Sequence, residues 1–303
     1  MDRQAQVAEF YSLIKYPGPD ALITYLWPNR VAPFVPKGPF TFLDAGCGAG
    51  RHTAGMLDLF PKARGYCIDL SQPSLDEASA LLAAKDFSNR AKFWQASYLD
   101  PIAVPEPVDI ALAIGTIHHS SDPAKALINI AAAVKPGGYV ACMVYGIRGH
   151  RRRYELKEAI GMLTKDPVEV ERLHKNYRAK YTTLLDTTPR VFLRKARNRV
   201  SHFLNRALRR KRYGYWIYQQ SGIFLRDAMM NPIDMAFDTA GLRTLVEGAK
   251  LEIVAMFGVG RPDPALLPKG WTWDGLDFWQ KTRLSELLDP DPMSWSFIAR
   301  KPN

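Results

Sequence analysis

The segment Phe42-Leu43-Asp44-Ala45-Gly46-Cys47-Gly48-Ala49-Gly50 constrains this chain more than any other. An apolar run ends in an acid and three alternate glycines, and residues at helical spacing follow at once. Glycines at these positions let the backbone turn tightly and approach a ligand with no side chain in the way. The first amides of the following helix then face the bound group. Asp69 stands 19 residues past Gly50, at the end of a second apolar run, where a carboxylate can accept both hydroxyls of a ribose. A dinucleotide site is the natural rival. Its G-x-G-x-x-G pattern needs glycine at position 51, where this chain has Arg51. A pyrophosphate does not ask for the acidic Asp44 inside the turn, whereas an ammonium group does.

The surrounding pattern predicts the scaffold. Strands are expected at Phe40–Leu43, Gly65–Ile68, Lys92–Gln95, Val108–Gly115 and Tyr139–Tyr145. Helices are expected at His52–Phe60, at Ser71–Ala84 with Ser71 as N-cap, and at Asp122–Val134 with Asp122 as cap and Pro123 in the first turn. Lys135-Pro136-Gly137-Gly138 should stop that last helix. Strands alternating with helices imply right-handed crossovers and a parallel sheet. After Gly146 the rhythm breaks into about a hundred residues of helical, basic and aromatic sequence. Strand character resumes at Leu251–Phe257 and in the alternating run Ser294–Arg300, with a helix expected at Phe278–Leu288. The expected organisation is an N-terminal helical lid (1–38), a cofactor-binding core (39–145), a helical substrate cap (146–244) and a C-terminal part of the core sheet (245–303).

Four features occur in order: Asp44-x-Gly46-x-Gly48-x-Gly50, Asp69, the strand and loop ending Ile117-His118-His119, and Lys135-Pro136-Gly137-Gly138. Together they resemble the class I S-adenosylmethionine-dependent methyltransferases. The resemblance covers residues 40–145 closely and the last two strands more loosely. It implies an α/β Rossmann-like sheet of seven strands, the last antiparallel, here with a helical insertion after the fifth strand. It implies S-adenosyl-L-methionine as cofactor. Gly46, Cys47, Gly48 and Gly50 would line it, Asp44 would lie near its amino-acid end, and Asp69 with Leu70 beside it would serve the ribose. Ala96 and Ser97 hold the place where the family often has an acid facing adenine, so a single hydroxyl replaces a carboxylate there. Ile114 and Gly115 would lie against the methionine portion.

Methyl transfer asks little of side chains, because the sulfonium is already an activated donor and positioning lowers much of the barrier. A base is needed only where the nucleophile must lose a proton. His118 and His119, and Tyr11 and Tyr16 of the N-terminal lid, are the catalytic candidates. Tyr215, Asn231 and Asp234 are the substrate candidates; a helix stop around Pro232 explains the last two equally well. Ten of the basic residues lie between Arg190 and Arg212 with no acid among them, which accounts for nearly all of the net charge of +11. Leu193, Val200 and Phe203 form an apolar stripe on that segment, so it reads either as a solvated helix face or as a surface for an anionic partner. No RNA-binding module is visible, which makes nucleic acid the weaker partner.

The three cysteines show no metal-ligand spacing, and no metal is expected. With no signal-like or membrane-spanning apolar run, the chain reads as cytoplasmic. The expected function is methylation of a small-molecule, peptide or protein nucleophile. An RNA methyltransferase and a non-catalytic cofactor-binding regulator are the alternatives.

Overall fold

The computed structural model describes residues 3–14, 24–185, 227–258, 261–288 and 294–303. Its centre is a mixed sheet of β1 (Phe40–Ala45), β2 (Ala63–Asp69), β3 (Ala91–Gln95), β4 (Val108–Ile114), β5 (Val134–Gly146), β6 (Ala236–Phe237), β7 (Glu252–Phe257) and β8 (Ser294–Arg300). The order is β3-β2-β1-β4-β5-β8-β7, with the two-residue β6 pairing parallel to the end of β5. Pairs from β3 to β5 are parallel, and β8 runs antiparallel to both neighbours. The sheet thus matches the expected topology and adds β6, an eighth strand too short to leave a pattern in the sequence.

Near-continuous apolar runs mark strands buried on both faces. One face of the sheet packs against α5 (Pro123–Ala132) and α8 (Thr239–Gly248), through Leu127, Ile130, Leu242 and Leu245. The other packs against α2 (Leu26–Val31) and α3 (Arg51–Leu59), through Trp27, Val31, Met56 and Leu57. The predicted caps are made: Ser71 accepts from the Ser74 amide at 3.3 Å to open α4 (Gln72–Ala83), and Asp122 accepts from the Lys125 amide at 2.9 Å. The remaining helices are α1 (Arg3–Ile14), α6 (Ile147–Leu163), α7 (Pro167–Leu185) and α9 (Phe278–Leu288). None among the described residues is long and apolar enough to cross a membrane.

One expectation is corrected. Lys135-Pro136-Gly137-Gly138 is not simply a turn before the fifth strand, because the ladder already starts at Val134, opposite Val108. The tetrapeptide bulges out before pairing resumes at Tyr139, opposite Ile110. Lys135 Nζ anchors it to Asp109 Oδ1 at 2.9 Å, and Gly138 lies so close that a Cβ would sit 2.8 Å from the Asp109 carbonyl oxygen. Trp295, Phe297, Ile298 and Ala299 of β8 are all buried, because β8 is flanked by β5 and β7 inside the sheet.

Candidate functional site

The glycine turn leaves β1 where its two neighbours diverge into β2 and β4, the position at which open α/β sheets take ligands. The amides of Gly46 and Cys47 both donate to the Ile68 carbonyl, at 2.8 and 3.0 Å, tying the turn to β2. Gly46 has φ +76°, and a Cβ there would meet Thr116 Cγ2 at 2.6 Å. Gly50 has φ +72°, and a Cβ there would meet the Ala78 Cβ at 2.8 Å. Left-handed backbone and close packing both exclude a side chain at these two positions. Thr116 completes the clamp by donating to the Ala45 carbonyl at 3.2 Å.

Two carboxylates lie beneath the turn. Asp69 Oδ2 accepts from the Gly48 amide at 2.8 Å, and its Oδ1 accepts from the Ser71 amide at 2.9 Å. Burial pushes the Asp69 carboxyl up, while these amide bonds work the other way. Asp44 is buried and accepts from the Thr53 hydroxyl at 2.6 Å. Its pKa is pushed up to about 6, mainly by burial and further by the charge on Asp69, against the opposing Thr53 bond. A cationic ligand would relieve this pair of neighbouring negative charges, and a pyrophosphate would aggravate it. The donor set therefore fits a ligand carrying a sulfonium and an ammonium group.

The other predicted cofactor contacts gather along the same strand ends. The Ala96 amide donates to the Asp69 carbonyl at 3.1 Å, and Gln95 Nε2 donates to the Leu70 carbonyl at 2.7 Å. Ser97 Oγ accepts from the Leu99 amide at 3.0 Å, so its hydroxyl proton stays available. Gly115, at φ +74°, follows Ile114 and donates to the Met143 carbonyl at 3.1 Å. Cys47, Cys67 and Cys142 are all buried and unbridged. The Cys67 thiol raises the pKa of Cys47, and burial raises that of Cys142, so both are held as thiols.

A second, polar cluster lies past the end of β4. His118 is fully buried, its ring 4.1 Å from that of His119 and 4.0 Å from that of Tyr145. Burial holds its pKa well below the usual histidine range, and the charges of His119, His150 and Arg153 act in the same direction. His119 Nδ1 lies 2.9 Å from the Ile233 carbonyl oxygen. Tyr11, from α1, donates to Asp227 Oδ1 at 2.8 Å and accepts from Asn231 Nδ2 at 2.8 Å. Asn231 Oδ1 also accepts from the Ile233 amide at 3.1 Å. Asp234 is held by Arg153 at 2.8 Å and by the Tyr154 hydroxyl at 3.2 Å. Asn231 and Asp234 thus turn inward and brace this cluster. Tyr16, Tyr215 and the basic run from Arg190 to Arg212 lie outside the described residues.

The sequence reading missed Tyr145, at the carboxyl end of β5, and the residues His150, Arg153, Tyr154 and Lys157 of α6. Their spacing was the available signal: 150, 153, 154 and 157 share one face of a helix. On that face the Tyr145 and His150 rings lie 4.1 Å apart, the Arg153 guanidinium stands 4.7 Å over Tyr145, and Lys157 donates to the Asn231 carbonyl at 2.8 Å. Among the described residues no group of three or more His, Cys, Asp or Glu could hold a metal ion.

Fold, glycine turn and acid placement are together those of the Rossmann-like methyltransferase fold. In particular, residues 43–140 match the family model described as a methyltransferase domain. An uncharacterised protein of Synechococcus is 29% identical over 266 residues, which cover 86% of this chain and 60% of that protein. The tRNA 5-carboxymethoxyuridine methyltransferase of Escherichia coli is 28% identical over 130 residues, covering 41% of this chain and 48% of that enzyme. This chain thus spans less than two thirds of either relative's length. Among solved structures, PKMT2 from Rickettsia typhi in complex with AdoHcy is similar with a TM-score of 0.66 at 15% identity, covering 95% of this chain and 55% of that one. The [4+2]-cyclase SpnF is similar with a TM-score of 0.55 at 14% identity, covering 100% of this chain and 97% of that one. At such identities these structures speak for the fold.

Proposed function

We propose that the chain transfers a methyl group from S-adenosylmethionine to a nucleophile on a small molecule, a peptide or a protein. The observation that carries this reading is the pair of neighbouring carboxylates, the buried Asp44 and the half-buried Asp69, under a glycine turn at the sheet's switch point. Gly46, Cys47, Gly48 and Gly50 would cradle the cofactor, with Asp44 toward its ammonium group. Asp69 and Leu70 would serve the ribose, Ala96 and Ser97 the adenine, and Ile114 and Gly115 the methionine chain. When bound, the cofactor supplies a methyl group on a sulfonium leaving group. The protein's own part is to hold that group, exclude water and present the acceptor. Residues 1–38 and 146–244 would act as lid and cap over the core of 39–145 and 245–303.

The match to SpnF means that this fold does not by itself imply methyl transfer. Calorimetric titration with S-adenosylhomocysteine and with NAD tests the site. Tight binding of the first and none of the second is expected, and binding of NAD alone would sink the reading. Tritium transfer from labelled S-adenosylmethionine to small hydroxyl or amine compounds, or to peptides, tests the activity. Transfer to tRNA alone would replace the proposed substrate class with RNA.

A further inference from the structure

We propose that His119 is the base of the reaction and that the acceptor is a neutral hydroxyl whose proton it takes; this rests on the methyltransferase reading above. A carbonyl oxygen only accepts hydrogen bonds. The 2.9 Å contact from His119 Nδ1 to the Ile233 carbonyl therefore places the imidazole hydrogen on Nδ1. In the neutral ring Nε2 then carries a lone pair. Among the described residues Nε2 makes no hydrogen bond. It is also not one of the nitrogens closed off from solvent, as both ring nitrogens of His118 are. His119 follows β4 by a few residues, and the intervening Thr116 is clamped to the glycine turn. The loop that carries the base is thus tied through Thr116 to the turn that would cradle the cofactor.

The other candidates are excluded by their surroundings. His118 is 0% exposed, behind His119 and Tyr145, where no acceptor reaches it. The Tyr11 hydroxyl gives its hydrogen to Asp227 and receives one from Asn231, so it has no proton-accepting role left for a substrate. Its ring, 6.3 Å from that of His119, forms a wall that positions the acceptor.

The charge pattern points to a hydroxyl. An alkylammonium acceptor would want an open carboxylate, yet Asp227 is occupied by Tyr11 and Asn231, and Asp234 by Arg153, Tyr154 and Lys157. A neutral amine attacks without first losing a proton, whereas a hydroxyl must lose one. In the step, the acceptor's O–H bond breaks and its proton goes to Nε2. An oxygen pair forms the new bond to the methyl carbon, and the carbon–sulfur pair stays on sulfur. The products are a methyl ether, a thioether and an imidazolium that later releases its proton to solvent. The groups facing His119 are His118 beside it, Tyr145 from β5, Tyr11 from α1, Asp227 one hydrogen bond further on, and His150 and Arg153 of α6 behind Tyr145.

The test uses the full chain labelled with 15N-histidine and bound to S-adenosylhomocysteine. Long-range proton–nitrogen spectra are recorded across the histidine titration range, with His119 assigned by its loss in His119→Asn. A neutral ring protonated at Nδ1 with a bare Nε2 is expected, and a hydrogen on Nε2 would overturn the proposal. Labelled S-adenosylmethionine is then offered with a panel of neutral phenols and the matching primary amines. Methylation of phenols is expected, with a rate that rises with pH through one ionisation to a plateau. His119→Asn keeps an N–H toward the Ile233 carbonyl, so it should bind S-adenosylhomocysteine as wild type does. Its turnover should fall by about 10²–10⁴-fold and lose the pH dependence. Retained turnover and pH profile in that variant, or methylation of amines and no phenol, overturn the base and leave the methyltransferase reading standing. Failure of the wild type to bind S-adenosylhomocysteine instead overturns the reading beneath it.

Discussion

At the proposed cofactor site the ligand-facing atoms are backbone, and the carboxylate that holds the Gly48 amide comes from close by: Gly48 and Asp69 are 21 residues apart. At the proposed acceptor cluster the facing atoms are side chains, gathered from segments far apart in the chain. Tyr11 and Asp227 are 216 residues apart, and His119 and Ile233 are 114 apart. The first region is a local motif that any strand–turn–helix can carry. The second exists only once α1, β5, α6 and residues 227–235 have docked. Damage to the first should therefore be severe and should register on the cofactor. Damage to the second should leave the cofactor site untouched.

The largest effect is expected from Gly46→Ala. It combines left-handed strain of about 1–2 kcal/mol with overpacking against Thr116 of about 1–3 kcal/mol. Calorimetry with S-adenosylhomocysteine should show affinity lost by a hundredfold or more, on the order of 3 kcal/mol; wild-type binding would remove the turn from the site. Asp69→Ala comes next, at about 1–3 kcal/mol for bonds involving a charged group. The structure adds a reason beyond ribose contact, because Asp69 ties the Gly48 amide to the Ser71 amide at the start of α4. Acid should have a milder effect. With Asp44 titrating at about 6 in the unliganded protein, binding of a cation to its ionised form takes up no proton above that pH and is opposed below it. Cofactor affinity should fall by roughly tenfold per pH unit below 6, and pH-independent binding down to pH 5 would detach Asp44 from the cofactor.

Asn231→Ala should change cofactor affinity least. It strips partners from Tyr11, Asp227 and the Ile233 amide, at a cost of about 1–3 kcal/mol in stability. Thermal unfolding should register that cost while S-adenosylhomocysteine binds as before. A parallel loss of cofactor affinity would show that the two regions are not separable.

The same contrast explains what was legible in the sequence. Asp44, the alternate glycines and Asp69 announce themselves because chemistry and turn geometry demand those residue types at short spacing. Ser71 and Asp122 were readable as caps for the same local reason. The bulge at Lys135–Gly138 was not, since it depends on Asp109 and on Gly137 and Gly138 exchanging backbone bonds with Lys301. The packing of Thr116 on Gly46 is visible only when β1 and β4 lie side by side. Asn231 and Asp234 read as substrate candidates or as a helix stop around Pro232, and their partners Tyr11 and Tyr154 could not be paired with them by spacing alone.

Helix α6 begins at Ile147, immediately after Gly146 closes β5. With no linker between them, the helix inherits its heading from the central sheet, and residues 150, 153, 154 and 157 arrive at the site on a fixed arm. In the language of divergence, those four positions form a cassette. On the proposed reading of 146–244 as a substrate cap, exchanging them would change the acceptor end while the donor end, clamped through Thr116 and Asp69, carries on unchanged. An engineer seeking a new acceptor would vary that helix face and leave 44–50 and 116–119 alone.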